Sequence, residues 1–222
     1  AFTGSRASGL ALKRAAEETG RTIYLEMSGL NPVFLLPGAV RERAESLAGE
    51  LFASCSLGAG QFCTKPGLAV LCDDEAGRDF SAAARKLFLA PPSGFLFNRN
   101  GLTALEGAVE DLVRGGAELL AGGKSVSGSG YRFENTLLRI SGQGFLSHAR
   151  ALQREAFGTA TLLVLAESED VLLRIAETLE GTLASAVYSG GREKGEDEEL
   201  YRRLTAILIP KTGRLLNDKM PT

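Results

Sequence analysis

The sequence predicts an α/β fold in which a mostly parallel β-sheet is flanked by helices. Short runs of four or five apolar residues, typical of strands buried on both faces, recur along the chain. They alternate with amphipathic helical segments, an order that favours a parallel sheet covered by helices. At 222 residues and 44% hydrophobic content, the chain can bury a sizeable core.

The first half of the chain begins with a predicted helix. Ser5 can cap its first turn, apolar residues follow at helical spacing from Leu10, and Gly20 is a typical helix stop. Asn31-Pro32 then separates two apolar runs that are predicted to be strands. In order, the sequence predicts strands at 22–25 and 33–36, a helix at 40–57, a strand at 68–72, and helices at 81–89 and 103–113.

The second half repeats this alternation around a glycine- and serine-rich loop. The loop spans 122–130, and the runs 117–120 and 132–140 beside it are predicted strands, the latter at a sheet edge or in an arm. The remaining predicted elements are a strand at 161–165, a helix at 171–179, a strand at 184–188, a helix at 196–204 and a closing strand at 206–209.

Composition and charge exclude several classes of function. The net charge is −2 and no dense basic block is present, so nucleic acid is not an expected partner. No apolar run is long enough for a membrane span, and the N-terminus lacks the layout of a signal peptide. Three cysteines without paired spacing and one histidine predict neither a disulfide framework nor a metal site. A reducing cytoplasm is the expected location.

Cys63 is the first candidate for chemistry. It follows Gly58, Gly60 and Gln61 in a loop that ends a predicted helix, and such a loop permits close backbone approach to a ligand. Cys55 and Cys72 lie in a helix and at the end of a strand, where a cysteine serves as a small apolar residue. The alternative interpretation is that Cys63, like the other two cysteines, only packs as a small apolar residue and has no chemical role.

Glu26 is the second candidate. It follows a short apolar run, at the point where a strand is expected to leave its sheet, and ligands of open α/β sheets gather at the carboxyl ends of strands. A thiol nucleophile and a carboxylate base are the minimum set of groups required to form a thioester and hydrolyse it. The alternative interpretation of Glu26 is a solvated charge in a turn.

Other residues have weaker claims. Glu155 and Phe157 stand two residues apart before a predicted strand, and His148 could form a couple with Cys63. Lys65 could lower the pKa of the Cys63 thiol or could lie on the surface. The glycine-bracketed helix start around Ser5 could receive a phosphate, although helix capping explains it equally well.

Four of these stretches, in this order, resemble the aldehyde dehydrogenase superfamily. Phe2-Thr-Gly-Ser5 resembles the cofactor-side turn, and Leu25-Glu26-Met-Ser-Gly29-Leu-Asn31-Pro32 resembles the Glu-Leu-Gly-Gly-Lys-x-Pro motif. Gly60-Gln61-Phe-Cys63 resembles the nucleophile motif, and Glu155-Ala-Phe157-Gly158 resembles the Glu-x-Phe-Gly-Pro motif. The sequence around Asn31 and Cys63 is most similar to that of the α-ketoglutaric semialdehyde (2,5-dioxovalerate) dehydrogenase branch.

The resemblance implies a three-layer α/β catalytic domain and two catalytic residues. Cys63 would attack the aldehyde carbon to give a thiohemiacetal, which becomes a thioester when hydride leaves for NAD or NADP. Glu26 would activate the water that hydrolyses the thioester to a carboxylic acid, and the backbone N–H of Cys63 would form part of an oxyanion hole. Hydride transfer needs the cofactor, because no side chain performs it.

The resemblance also implies four cofactor-binding residues. Ser5 would face the cofactor pyrophosphate, and the Met27 carbonyl would orient the carboxamide. Glu155 would hold the nicotinamide ribose hydroxyls, and Phe157 would lie beside the nicotinamide.

The sequence departs from the family pattern at single positions and in extent. Ser28, Leu30 and Thr159 stand where glycine, lysine and proline are usual, and Arg6 stands where a small polar residue is typical. Residues 1–20 are interpreted as a remnant of the cofactor-binding domain and 21–222 as the catalytic domain, truncated at both ends. Such a fragment is expected to bind NAD(P) poorly and turn over slowly, whereas the full-length protein is expected to be a homo-oligomer.

Two alternatives to an aldehyde oxidoreductase stay open at this level. A cysteine hydrolase or acyltransferase could use Cys63 with His148 or Glu26 and would need no cofactor. A non-catalytic domain could retain the fold, in which case Cys63 would react no faster than Cys55 or Cys72.

Overall fold

The fold is built on a central β-sheet with helices on both faces. The structure is a computed structural model that describes residues 1–27, 29–92, 94–191 and 195–222. Within those residues the main sheet has seven strands, β3 to β5 and β8 to β11. They are β3 (Val33–Leu35), β4 (Leu68–Cys72), β5 (Glu118–Ala121), β8 (Thr136–Ser141), β9 (Ala160–Ala166), β10 (Thr182–Tyr188) and β11 (Thr212–Asn217). The predicted α/β class is therefore confirmed.

The strand order across the main sheet is β11-β10-β3-β4-β9-β8-β5. Every neighbouring pair is parallel except β5 with β8, so the antiparallel strand lies at an edge. Two small sheets accompany it. β1 (Phe2–Gly4) pairs in parallel with β2 (Leu25–Met27), and β6 (Ser125–Val126) pairs antiparallel with β7 (Arg132–Phe133).

The helices form the two outer layers. The described helices are α1 (Arg6–Glu18), α2 (Pro37–Ser56), α3 (Glu75–Phe88), α4 (Arg99–Arg114), α5 (Gly142–Ser147), α6 (Ala149–Leu152), α7 (Glu169–Thr178) and α8 (Glu198–Leu208). Helices α2 and α3 pack on one face of the main sheet, and α4 to α8 pack on the other. This arrangement is the expected three-layer architecture. None of the described helices is long and apolar enough to cross a membrane.

The side chains of each central strand point alternately to the two faces of the sheet, so each strand contributes to both hydrophobic cores. On β3, Val33 and Leu35 face α2 and α3, whereas Phe34 faces the opposite layer. All three are fully buried, and burial of each such side chain stabilises the fold by about 1.5–3 kcal/mol. Double-sided burial explains why these strands read as continuous apolar runs rather than as alternating ones.

The predicted closing strand at 206–209 is wrong. This segment ends α8, and the last strand is β11 (Thr212–Asn217). Leu200, Leu204 and Leu208 are all buried, so the apolar residues near the end continue a helical face of period four.

Among the other boundaries that differ from the sequence predictions, three have a visible structural cause. The strand expected at 22–25 is β2, shifted to Leu25–Met27 by its pairing with β1, a strand the sequence pattern did not indicate. The run 132–140 is divided between β7 and β8, which are separated by Glu134 and Asn135. The Asn135 amide donates to the Ala90 and Pro91 carbonyls. The helix expected at 81–89 begins earlier, because Asp74 caps α3.

Candidate active site

One cavity of about 680 Å³ lies at the amino ends of the main-sheet strands. Its walls are formed by chain segments that immediately precede β3, β4, β9 and β10, and by the small β1–β2 sheet. The lining residues are Thr3, Gly4, Ser5, Arg6, Glu26, Met27, Gly29, Leu30, Pro32, Cys63, Ala104, Gln153, Arg154, Glu155, Phe157, Leu179, Glu180, Gly181 and Thr182. All six candidate catalytic and cofactor-binding residues thus face one cavity.

The expectation that this site lies at the carboxyl ends of strands is wrong. Glu26 occupies the middle of β2, opposite Thr3 of β1, and the main sheet presents the amino ends of its strands to the cavity. The carboxyl-end rule applies to a single open sheet. Here the β1–β2 unit lies against the other end of the larger sheet and closes the cavity from that side.

The Cys63 loop is shaped by three consecutive residues in left-handed backbone conformation. Gly58, Ala59 and Gly60 have φ angles of 58°, 56° and 70° and end the helical segment that precedes Cys63. A Cβ atom on Gly60 would lie 2.2 Å from the carbonyl carbon of Gly158. Glycine is required there, because the loop touches the backbone of another cavity segment.

The Cys63 thiol is exposed and interacts with Glu26. Partial burial raises the pKa of the thiol, and the nearby Glu26 carboxylate raises it further through its negative charge and acceptor oxygens. The backbone N–H groups of Cys63 and Thr64 act in the opposite direction, since they stabilise the thiolate. The same N–H groups are the kind of donor that stabilises an oxyanion beside the sulfur.

Lys65 neither lies on the surface nor lowers the pKa of Cys63. Its side chain is fully buried, and its ammonium donates to the carbonyls of Ala156 and Ala160 at 3.0 and 2.8 Å. Burial lowers the pKa of Lys65, whereas the nearby groups of Cys55 and Glu155 raise it. The groups that act on the Cys63 thiol do not include Lys65.

Cys55 and Cys72 have the properties of packing residues. Burial raises the pKa of Cys55 to about 11 and that of Cys72 to about 12. Cys55 is fully buried and its thiol donates to the Pro66 carbonyl at 3.3 Å. Cys63 is the exposed cysteine of the three, as a nucleophile must be.

Ser5 and Met27 line one wall of the cavity. Ser5 caps α1, and its hydroxyl oxygen accepts from the Ser8 N–H at 3.3 Å. The Met27 side chain lies so close to Gly9 that a Cβ there would be 2.6 Å from the sulfur, which fixes α1 against β2. Arg6, the first residue of α1, forms an ion pair with Glu180 across the cavity. Ser28 lies outside the described residues.

Glu155 and Phe157 line the cavity just before β9. The Phe157 ring is 44% exposed, which leaves an apolar surface available within the cavity. The next residue, Gly158, packs against Leu105 so tightly that a Cβ would lie 2.4 Å from its side chain. These contacts hold the segment between two elements of the core.

His148 is not among the cavity residues of the described chain. It lies at the junction of α5 and α6, with its Nδ1 atom 3.3 Å from the Gly144 carbonyl oxygen. The geometry therefore gives no support to a Cys63–His148 couple. Among the described residues no group of three or more His, Cys, Asp or Glu side chains could hold a metal ion.

Asn31 is a buried residue to which the sequence analysis assigned no functional role, although it lies in one of the family motifs and breaks the pattern between two strands. It is fully buried with a φ of 45°, and its side-chain amide donates to the carbonyls of Cys63 at 2.8 Å and Lys65 at 3.1 Å. Its side-chain oxygen accepts from Ala184 N–H at 3.1 Å and from the Thr182 hydroxyl at 3.3 Å. Asn tolerates the left-handed conformation, so an Asn before a proline was the available signal.

The fold and this cavity define a known class of protein. Residues 1–200 match the aldehyde dehydrogenase family, and the chain belongs to that family. Among solved structures, lactaldehyde dehydrogenase from Escherichia coli is similar with a TM-score of 0.80 and 21% identity, over 99% of this chain and 45% of the other. PnpE in complex with nicotinamide adenine dinucleotide has a TM-score of 0.80 and 20% identity, over 100% of this chain and 45% of the other.

Two curated relatives within the family are similar to this chain over its whole length. The α-ketoglutaric semialdehyde dehydrogenase 2 of Azospirillum brasilense is 32% identical over the whole of this chain and 42% of its own length. The α-ketoglutaric semialdehyde dehydrogenase of Acinetobacter baylyi is 30% identical, again over 100% of this chain and 42% of the relative. The chain therefore spans less than half the length of these relatives.

Proposed function

We propose that this chain supplies the nucleophile and the general base of an NAD- or NADP-dependent aldehyde dehydrogenase that oxidises an aldehyde to a carboxylic acid. The observation that carries the proposal is the Cys63 thiol, which is exposed in the cavity that Glu26 also lines, where the Glu26 carboxylate acts on the pKa of the thiol. An accessible thiol can form a thioester, and a carboxylate in the same cavity can then activate the water that hydrolyses it.

The chemistry on this chain has two stages. First, the Cys63 sulfur bonds to the aldehyde carbon while Glu26, as a carboxylate, takes the thiol proton, and the backbone N–H groups stabilise the oxyanion. After hydride has left that carbon, a thioester joins it to Cys63. Second, Glu26, its proton returned to solvent, removes a proton from water as the water oxygen attacks the thioester. The carbon–sulfur bond breaks and releases the acid and the Cys63 thiolate.

The cavity residues fit a nicotinamide dinucleotide. A cavity of about 680 Å³ is within the usual range for small-molecule sites. The N-terminus of α1, with Ser5 and Arg6 and without an acidic residue in its first turn, suits a phosphate group. The carboxylate of Glu155 can accept from ribose hydroxyls, and the exposed Phe157 ring suits an aromatic base. When bound, this cofactor accepts the hydride.

We extend the proposal to a substrate class. The similarity to two α-ketoglutaric semialdehyde dehydrogenases supports a small semialdehyde, with α-ketoglutaric semialdehyde as the first compound to test. A reduced thiol at Cys63 suits the cytoplasm as location, and a homo-oligomer is proposed for the full-length protein. The division into a cofactor-domain remnant at 1–20 and a catalytic domain at 21–222 also stays a proposal.

Acylation by p-nitrophenyl acetate tests the nucleophile and base without a cofactor. The expected result is a burst of p-nitrophenolate with one acetyl group on Cys63, located by intact mass and peptide mapping. Glu26→Gln should leave the burst in place and slow the release of acetate. Cys63→Ser is the control that should remove the burst. Acetylation spread over Cys55, Cys72 and lysines, with none preferred at Cys63, would contradict the proposal.

A further inference from the structure

Lys65 is a buried cation that the chemistry above does not use. Its side chain has no exposed surface, although an ammonium group loses several kcal/mol of hydration when it is buried. The ammonium donates to two carbonyl oxygens, Ala156 at 3.0 Å and Ala160 at 2.8 Å. These carbonyls stand on the two sides of Phe157 and Gly158, so one cation holds both ends of the Phe157 turn (residues 156–160).

Two further contacts join the same pair of segments. Gly60, in the loop before Cys63, touches the backbone of Gly158 closely enough to exclude a Cβ. The Thr161 hydroxyl donates to the Pro66 carbonyl at 2.6 Å in a buried position. The Cys63 loop (residues 58–66) therefore contacts the Phe157 turn near its beginning, through Gly60, and the residue that follows the turn at its end, through Pro66.

Asn31 ties the Cys63 loop to a third segment. Its amide binds the carbonyls of Cys63 and Lys65, while its oxygen binds Thr182 and Ala184 at the start of β10. The loop is thus held between β10 and the Phe157 turn. Lys65 is the member of this network whose side chain crosses from the loop to the turn.

We infer that Lys65 is a positioning residue that fixes the Phe157 turn relative to the Cys63 loop. The inference rests on the proposed function, since the turn carries the residues proposed to meet the cofactor and the loop carries the nucleophile. An apolar side chain at position 65 would stabilise the fold as well as Lys65, because buried ions can be replaced by apolar residues at little cost in stability. A point cation that holds two carbonyls fixes their spacing, which an apolar side chain does not.

The first test is amide hydrogen exchange in the wild-type chain and in Lys65→Met, which keeps side-chain length and removes the charge. The reporter amides are Ala160, bonded to the Gly158 carbonyl at 2.7 Å, and Leu162, bonded to the Gly67 carbonyl at 3.1 Å. Exchange at both should accelerate about tenfold or more, as expected for a local loss of order, with the rest of the sheet unchanged. Unchanged exchange at Ala160 in a folded Lys65→Met chain would overturn the inference.

A matched control separates this effect from a general loss of ammonium–carbonyl contacts. Lys211 also donates to backbone carbonyls, those of Ala176, Glu177 and Leu179 at the end of α7. Lys211→Met should accelerate exchange there and leave Ala160 as in the wild type. If Lys65→Met does not fold, Thr161→Val removes the neighbouring tie to Pro66, and it should accelerate exchange at Ala160 in the same direction by a smaller factor.

A second readout connects the position of the turn to function. The rate of Cys63 alkylation by iodoacetamide is measured with and without NAD, together with acylation by p-nitrophenyl acetate. In Lys65→Met the effect of NAD on alkylation should weaken about tenfold, because small displacements disrupt bound geometry, while acylation should change by less than about threefold. Because this chain is expected to bind NAD weakly, NAD is used near its solubility limit. If wild-type alkylation does not respond to NAD even there, the proposed cofactor role of these residues fails, whereas the exchange data still decide the inference on Lys65.

Discussion

The Glu26 carboxylate and the Cys63 thiol line one cavity at the junction of two sheets, where the carboxylate helps raise the pKa of the thiol. Glu26 belongs to β2 of the small sheet, and Cys63 precedes β4 of the main one. The pair therefore exists only where these two units meet. Any displacement of the β1–β2 unit would separate the proposed base from the proposed nucleophile.

Glu26→Gln should shift the pH dependence of Cys63 alkylation to lower pH. Partial burial and, after it, the negative Glu26 carboxylate raise the pKa of the thiol, so the thiol stays protonated into the alkaline range. The glutamine amide carries no charge, so the pKa should fall toward its ordinary value and alkylation at mildly alkaline pH should be faster. The measurement is the iodoacetamide rate at Cys63 against pH, followed by mass spectrometry. A profile shifted to higher pH would contradict this account.

Asn31→Ala should destabilise the fold and slow the reaction of Cys63. The substitution leaves the buried partners of the Asn31 side chain without their hydrogen bonds, and each loss of this kind costs about 1–3 kcal/mol. Chemical unfolding gives the free energy, and the p-nitrophenyl acetate burst gives the reaction rate. Asn31→Gly is the matched variant, because glycine adopts a φ of 45° freely. It should be less destabilised than Asn31→Ala by about 0.5–1 kcal/mol, since the left-handed conformation penalises alanine.

The sequence predicted the central strands well, because their residues are buried on both faces. The runs 68–72 and 161–165 are uninterrupted and apolar, and they correspond to β4 and β9 within one residue at each end. The strand β1 was missed, since Phe2–Gly4 carries a single large apolar residue and depends on its pairing with β2. Isoleucine and leucine near 208 favour a strand locally, but burial of Leu204 and Leu208 on one helical face decided the outcome.

Motif resemblance predicted the residues that line the cavity, whereas it did not predict the residues that hold the cavity segments in place. Six residues chosen from four motifs line one cavity, although they are spread between Ser5 and Phe157. The sequence did not predict the buried position of Lys65, because a lysine in a loop two residues after the cysteine is typical of an exposed residue. Its acceptors at Ala156 and Ala160 are about ninety residues away, so only the tertiary structure brings them together.

Gly60→Ala should destabilise the chain by about 2–4 kcal/mol, through the left-handed backbone and the close contact with Gly158. It should also reduce acylation of Cys63, because the loop must move away from the turn. Gly49→Ala is the control, since Gly49 lies inside α2 and a Cβ added there would meet no atom within 4 Å. That change should stabilise the fold by about 0.5–1 kcal/mol. Chemical unfolding measures both, and equal effects of the two substitutions would contradict the close contact at Gly60.

Glu180→Gln should strengthen binding of a dinucleotide to the cavity. Arg6 and Glu180 both line it and form an ion pair there, with each side chain about half exposed. A phosphate at the start of α1 would be attracted by Arg6 and repelled by Glu180. Loss of the acid therefore removes a competitor for the guanidinium and a repulsive charge, while stability changes little because exposed ion pairs contribute at most about 1 kcal/mol.

The expected gain is about threefold in the affinity for ADP-ribose, which corresponds to less than about 1 kcal/mol, with a loss of similar size for Arg6→Ala. Isothermal titration of both single variants and of the double variant measures the coupling. Glu180→Gln should help less when Arg6 is absent, because only the repulsion is then relieved. Weaker binding by Glu180→Gln would instead mean that the ion pair holds the cavity in the shape that the ligand requires.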